Sequence, residues 1–426
     1  MKLNNPSLIL QSLISIAARG AGVVLNFVVT VILTRNLPPN EAGMIQTLII
    51  LLTGVSLFSR LGVEHWLVRD VARLPDDESL HTEQGKFLHS AYRMLLVSTA
   101  IFMLGWIVSS PLLKSWLFDN EIHLLPLTLG AVGILCWNMI STHAIFMKAT
   151  HRITESLLTQ NALPAMTMLG LLSLFWLYFP ENQNYLWIYL ASLLLAGGLS
   201  LFLVRSWWSE LFSRRTATFS IKQVLDQSLP LAPIVMVSFL MLWIDAILVA
   251  AFLPNEDVAL YSSAVRVAFV CGIFLTALEA TIYPRLIKIR DNNPERLKRF
   301  FWQGTLLVAG VLGSFVLCVG LLGEFILSIF GPQYVAAIYA LLILLAAQFI
   351  RALSLPFSLM FIAEKQAETL NKVLYAALAI NILANIILIP QFGIEGSAAA
   401  SLLANLALTG GVVLFFAKKR LMKDYD

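Results

Sequence analysis

Twelve apolar stretches separated by short polar loops run the length of the chain, at roughly 8–34, 43–63, 88–110, 122–147, 157–179, 186–204, 224–252, 258–283, 300–322, 334–360, 370–389 and 396–417. A helix needs about 20 mainly apolar residues to cross a hydrocarbon core of about 30 Å. Backbone in lipid must satisfy its own hydrogen bonds, which a helix does within one segment. The pattern therefore predicts an all-α integral membrane protein with twelve transmembrane helices. No loop on the outer side is long enough to form a separate domain there.

The loops differ in charge as well as polarity. Of 29 Lys and Arg, 22 fall in alternate loops and the termini, only Arg35 and Lys114 fall in the other loops, and five lie inside apolar stretches. The basic set includes Arg69, Arg73, Lys86, Lys148, Arg152, Arg205, Arg214, Arg215, Lys222, Lys365 and Lys372, with Lys2 at one end and Lys418, Lys419, Arg420 and Lys423 at the other. Charges in the opposite loops are mostly acidic, among them Glu41, Asp119, Glu121, Glu181, Glu256 and Asp257. Positive loops stay cytoplasmic, so both termini are expected inside, in a multi-pass protein of a bacterial inner membrane. The same face would favour anionic membrane lipids.

The chain also repeats itself. Residues 8–38 align with 224–254 at an offset of 216. Gln11-Ser12-Leu13 matches Gln227-Ser228-Leu229, and Leu37-Pro38 matches Leu253-Pro254, each followed closely by Asn-Glu. Six helices per half give both halves the same topology, the parallel-repeat arrangement of some transporters. The expected organisation is a lobe at 1–204, a basic cytoplasmic linker at 205–222 serving as hinge, and a second lobe at 223–426, related by a pseudo-twofold axis.

Composition agrees. Hydrophobic residues are 58% of the chain and charged ones 13%, about half the share of a soluble domain. Basic residues scattered over short loops make no nucleic-acid surface. Cys136, Cys271 and Cys318 all lie in apolar stretches and suggest no disulfide framework. No metal-ligand spacing, cofactor motif or Walker A sequence is present, so neither a cofactor nor ATP hydrolysis by this chain is expected.

The first outer hairpin reads Thr34-Arg35-Asn36-Leu37-Pro38-Pro39-Asn40-Glu41-Ala42-Gly43. The second half carries Trp243-Ile244-Asp245, Leu253-Pro254 and Ala259-Leu260-Tyr261-Ser262-Ser263-Ala264. These segments resemble recurring patterns of bacterial polysaccharide transporters, the O-antigen-type flippases of the multidrug/oligosaccharidyl-lipid/polysaccharide exporter superfamily. The likeness extends over the whole chain in length, helix number and repeat. One position departs from it: the usual glycine at the start of the eighth helix is Leu260. The resemblance implies a V-shaped, MATE-like pair of six-helix bundles around a central cavity. It implies translocation of an undecaprenyl-pyrophosphate-linked glycan to the periplasmic leaflet by alternating access, with a polysaccharide polymerase as a possible partner.

Ionisable groups at membrane depth are costly and so mark function or specific pairing. Arg19, mid-helix beside Gly20 and Gly22, could grip a pyrophosphate bidentately. Arg266 and Arg351 could add a positive field for the same group. Their structural alternative is inter-helix ion pairing. Asp245 is the best buried acid, on a helix that opens with Pro230 and Pro233, and suits coupling to H+ or Na+. Its alternatives are a salt bridge to Arg266 or an interfacial carboxylate in contact with water. Glu279 and Glu64, nearer the cytoplasmic ends, are candidates for coupling or gating. Arg60 and Arg93 read as snorkelling residues, and His143 and His151 as cytoplasmic-surface histidines. Asn26, Asn138, Gln303, Gln348, Asn381 and Asn385 could bind sugars but suit inter-helix hydrogen bonds better. Trp106, Trp116, Trp176, Tyr178, Tyr185, Trp187, Trp207 and Trp208 read as interfacial belts.

Four other functions fit the pattern less well, among them a non-transporting scaffold, which would not require buried arginines near the midplane. A drug or organic-cation antiporter would need a net negative pocket, whereas arginine outnumbers acid mid-membrane. A polymerase or ligase would present a large outer loop rich in Arg and His. Lipid II flippase relatives usually carry two more helices than this length holds.

Overall fold

The computed structural model describes residues 6–74, 81–118, 120–178, 185–211, 219–292, 296–364 and 366–418, and among these every regular element is helical. Lys2, Asp119, Glu181, Arg214, Arg215, Lys365, Lys419, Arg420 and Lys423 lie outside the described residues. In chain order the helices are α1 (Pro6–Asn36), α2 (Pro39–Ser59), α3 (Val63–Val71), α4 (His81–Leu117), α5 (Leu124–Ala149), α6 (Ile153–Leu157), α7 (Leu163–Tyr178), α8 (Tyr185–Leu203) and α9 (Trp208–Leu211). They continue with α10 (Ile221–Ser228), α11 (Ala232–Phe252), α12 (Asn255–Phe269), α13 (Cys271–Asn292), α14 (Leu297–Leu321), α15 (Gly323–Ser328), α16 (Ile338–Leu353), α17 (Leu355–Ala363) and α18 (Ala367–Lys418).

Among the described residues, eleven helical segments are long and apolar enough to cross a membrane, and the last runs 51 residues, Glu368–Lys418. That is too long for one span. The chain breaks at Gly393, whose φ of 58° and ψ of −136° leave the helical region. Close approach of Gly396 to Leu388 and of Gly411 to Val373 shows that the two arms run back along each other. A Cβ on Gly396 would stand 2.2 Å from the Leu388 carbonyl oxygen, so glycine is required where the arms close. Counting both arms gives the twelve spans read from the sequence.

Some spans are broken where the apolar pattern is continuous. The eighth is divided at Val270, between α12 and α13. The tenth is divided at Ser354, where Pro356 opens α17. Leu158–Ala162, between α6 and α7, forms a π-helical turn.

Contacts divide the chain into two units. One is Met1–Leu33 with Thr47–Phe239; the other is Thr34–Gln46 with Leu240–Asp426. This division does not follow the expected 204 and 223 boundaries, and local packing shows why. Helix α10 is capped by a reciprocal pair, with Ser220 Oγ accepting from Gln223 N at 3.2 Å and Gln223 Oε1 accepting from Ser220 N at 2.8 Å. Its buried Val224 joins a core with Trp66, Leu67, Leu88, Phe146 and Trp207. Trp66 donates to Gln227 Oε1 at 3.0 Å, and its ring meets Phe87 and Phe219 at 5.6 and 5.8 Å. The end of the expected hinge, from Phe219 on, is thus anchored in the first unit. Gly62, at φ 80°, turns the chain from α2 into α3, and a Cβ there would stand 2.4 Å from the Ser228 carbonyl oxygen.

The second unit claims the first outer hairpin for an equally local reason. A Cβ on Gly43 would stand 1.8 Å from the Asn255 carbonyl oxygen, so only glycine lets α2 start against α12. Arg35 Nε donates to the Ile329 carbonyl at 2.7 Å. The core of this unit includes Phe301, Phe357 and Phe416, with ring centroids 5.0–5.2 Å apart.

Candidate functional site

Asp245 sits on α11 and meets both arms of α18. Asn385 Nδ2 donates to its Oδ1 at 2.7 Å, and the Ser401 hydroxyl donates to Oδ2. The hairpin at Gly393 makes this possible, because it sets Ser397 opposite Asn385, whose Oδ1 accepts from Ser397 Oγ at 2.8 Å. Asn385 also donates to Asn381 Oδ1 at 3.2 Å. Ser397, Ser401 and Asn405 follow at intervals of four on the second arm and so share a face. The carboxylate opens on a cavity of about 40 Å³ lined also by Tyr261, Gln348, Arg351, Asn381, Ser401 and Asn405, room for a few waters or an ion. Tyr261 is fully buried, and its hydroxyl lies beside Ser397 and Ser401 without completing a hydrogen bond. A carboxylate, hydroxyls and amide oxygens around a small space form a donor set suited to a hard cation or a proton.

The structure therefore brings Asp245 and Arg351 to one cavity. It does not pair Asp245 with Arg266, one alternative the sequence left open: Arg266 is half-buried on α12 and does not line the cavity. Arg351 is exposed towards it on α16, and no carboxylate among the described residues lies within 4.0 Å of its guanidinium. Glu279 is exposed on α13, away from this cavity.

The first unit holds a different polar cluster. Asn138 on α5 is 3% exposed. It accepts from Ser56 Oγ at 2.9 Å and donates to Ser59 Oγ and Thr99 Oγ1, both at 2.7 Å. Arg60, expected to snorkel, is instead 5% exposed and donates to Ser56 Oγ at 2.8 Å. Helix α2 ends at Ser59, and the turn that follows points the guanidinium into the bundle. Glu64 stands 3.5 Å from Arg60 Nε, which places that candidate in an ion pair.

Arg19 is exposed on α1, one turn before Gly22. Gly22 itself lies against Asn161 in the π-helical turn, where a Cβ would stand 2.6 Å from the Asn161 Cβ. Asn26 Nδ2 ties the same helices by donating to the Asn161 carbonyl at 2.9 Å.

His143 overturns its surface expectation, being fully buried between Tyr92 and Ser200. Ser200 gives its proton to the Gly197 carbonyl at 2.7 Å and so accepts from His143 Nδ1 at 2.9 Å, which leaves Nε2 to accept from Tyr92. Close packing of α4, α5 and α8 buries a ring that sequence position alone put near an end. Trp106, Tyr185 and Trp207 are likewise buried, whereas Trp116, Trp176, Tyr178, Trp187 and Trp208 are exposed as interfacial residues are. Sequence reasoning passed over Ser397, Ser401 and Asn405; their four-residue spacing in an apolar span was the available signal.

Comparison with known proteins bears on the whole chain. Residues 9–290 match the family model described as polysaccharide biosynthesis protein. A probable flippase, AglR, of Haloferax volcanii is 29% identical over 178 residues, 40% of this chain and 36% of the relative. A probable low-salt glycan biosynthesis flippase, Agl15, of the same organism is 24% identical over 168 residues, 38% and 35% of the two chains. The matched stretch thus spans about a third of either relative's length. Among solved structures, an inward-facing multidrug resistance MATE family transporter of the MOP superfamily aligns with a TM-score of 0.65 at 13% identity, over 95% of this chain and 96% of the other. A MOP superfamily transporter from Pyrococcus furiosus, reported with a binding pocket of reverse polarity, aligns at 0.63 and 14% identity, over 96% and 94%. These likenesses establish the fold.

Proposed function

Since the chain belongs to the polysaccharide biosynthesis protein family, we propose that it is a flippase that carries a lipid-linked oligosaccharide from the cytoplasmic to the outer leaflet by alternating access, driven by a cation gradient. The carrier lipid expected from the sequence resemblance is undecaprenyl pyrophosphate, and an O-antigen-type repeat unit is its cargo. The termini face the cytoplasm of an inner membrane, where the loops carry their positive charge. A polymerase takes the flipped unit.

The observation that carries this reading is the cavity shared by Asp245 and Arg351, added to the family match. A flippase for an anionic lipid needs a cationic group for the diphosphate and an anionic group for the driving ion. The second unit supplies one of each. Arg19 in the first unit and Arg266 in the second are further diphosphate contacts. A guanidinium is suited to this because its fork matches two phosphate oxygens. Asp245 takes H+ or Na+, while Glu64, paired with Arg60, and Glu279 serve gating.

Purified protein in liposomes with a labelled lipid-diphosphate oligosaccharide tests the proposal. An impermeant glycan-trimming enzyme outside should reach the sugar only when protein is present, and faster under an imposed gradient. Arg19→Glu should abolish that signal while leaving the melting temperature unchanged. Folded protein that moves no glycan of several types, yet exchanges an organic cation for H+ or Na+, would favour the antiporter reading, which the fold likeness to multidrug transporters keeps in view.

A further inference from the structure

We infer that the first outer hairpin, Thr34–Gln46, is a gate that lifts from the second unit to let cargo leave outwards, and that the unpaired amide of Gln46 keeps its closure reversible. The inference rests on the alternating-access reading above and adds to it the part that moves on the outer side.

Gly43 and Arg35 seat the hairpin. At Gly43 the fit is so close that a Cβ would stand 2.7 Å from the Asn255 carbonyl carbon and 3.3 Å from Ala259 N. Glycine brings no side chain to that point, so backbone lies against backbone with nothing interlocked. Arg35 adds its hydrogen bond to the Ile329 carbonyl from an exposed side chain, and water can take its place when the hairpin leaves. Gln46 follows Gly43 by three residues and so shares its face of α2. It is 2% exposed, and neither its amide nitrogen nor its amide oxygen has a hydrogen-bond partner among the described residues. On α12, Ser262 follows Ala259 by three residues and is buried with its hydroxyl likewise unpaired. Each helix of the seam thus carries an unsatisfied polar group one turn beyond the glycine contact. In a permanent interface nearly all buried polar atoms are paired. An amide with both atoms unpaired raises the free energy of the closed state, and water satisfies it once the hairpin lifts. The chain on either side of the hairpin, up to Leu33 and again from Thr47, belongs to the first unit. A rearrangement of that unit therefore pulls on both ends of the hairpin.

The test uses the full chain in lipid nanodiscs with no glycan added. Cys318→Ser removes the exposed thiol, while Cys136 and Cys271 are buried. Spin labels are placed at Pro38→Cys on the hairpin and Gln333→Cys on the second unit, both exposed positions. Pulsed electron paramagnetic resonance then reads the distance between them. The labelled protein should show a short and a long distance. Gln46→Leu removes the unpaired amide at similar volume and should lower the long-to-short ratio about tenfold. Gly43→Ala should raise the ratio, because its Cβ holds the hairpin off α12. Adding Gln46→Leu to Gly43→Ala should bring the ratio back down, which keeps the amide testable where the parent is almost wholly closed. Melting temperatures confirm that each variant is folded. A single distance shared by the parent and Gly43→Ala, or a ratio that Gln46→Leu leaves unchanged in both backgrounds, would overturn the inference. Hairpin movement is read without cargo, so its failure is distinct from a failure of glycan flipping, which the liposome assay reads.

Discussion

Two buried polar clusters, one in each unit, are built from the same parts and differ in balance. Around Asn138, one amide joins three hydroxyls, and the charge of Arg60 is matched by Glu64 at 3.5 Å. Around Asn385, one amide joins a hydroxyl and a carboxylate, but Asp245 has no cation within 4.0 Å and faces an open space. A network whose charges are paired within it holds helices together. A network whose carboxylate has no counter-ion within ion-pair distance, with room beside it, can take a ligand there. Asn138 and Asn385 are both buried, so direct charge pairing and open space are what distinguish site from scaffold.

The comparison breaks most readily at Asn138. Replacing it with Leu leaves Ser59 and Thr99 without their donor and Ser56 and Arg60 without their acceptor, at about 1–3 kcal/mol per orphaned buried group. A loss of about 3 kcal/mol or more is expected, seen as a drop of several degrees in melting temperature in detergent. An unchanged melt would show that this cluster is no scaffold. Arg60→Met should cost about 2 kcal/mol, less than a fully buried pair because Glu64 is partly exposed. The double change Arg60→Met, Glu64→Leu should recover most of it, since the orphaned charge is then gone. Failure of that rescue would mean Arg60 acts through something other than its pair. Asp245→Asn should move stability by less than about 1 kcal/mol, in either direction, because an uncompensated buried charge is removed, yet transport should lose its gradient dependence. A large drop in stability would class Asp245 with Asn138. The smallest effect is expected at Asn405→Ala, where apparent cation affinity should fall a few-fold with no measurable change in melting.

Much of this was legible before any coordinates. Apolar length set the spans, and Asp245, Asn381 and Arg351 stood out as polar groups within them. The residues that complete the site did not stand out, because serines are common in membrane helices and their meaning here depends on the Gly393 turn. Arg60 reads as a snorkelling residue only along a continuous helix, whereas α2 stops one residue earlier and its partner Asn138 is 78 positions away. His143 is hidden from local sequence in the same way, because its burial comes from the neighbours α4 and α8. The breaks at Val270 and Ser354 fall inside unbroken apolar runs, and only the proline at position 356 hinted at the second.

The close fit of Gly43 to Asn255 has a consequence for the making of the protein. The first outer hairpin, Thr34–Gln46, belongs to a unit whose remaining residues begin at Leu240. Translation proceeds at about 5–20 residues per second, so this hairpin is inserted and then waits roughly 10–40 s for its neighbours to be synthesised. Through that interval α2 begins in the membrane with a bare glycine and nothing packed against it. A ribosome slowed between residues 47 and 239 would lengthen that exposure, and a quality-control protease able to grip an unpaired hairpin would find it there.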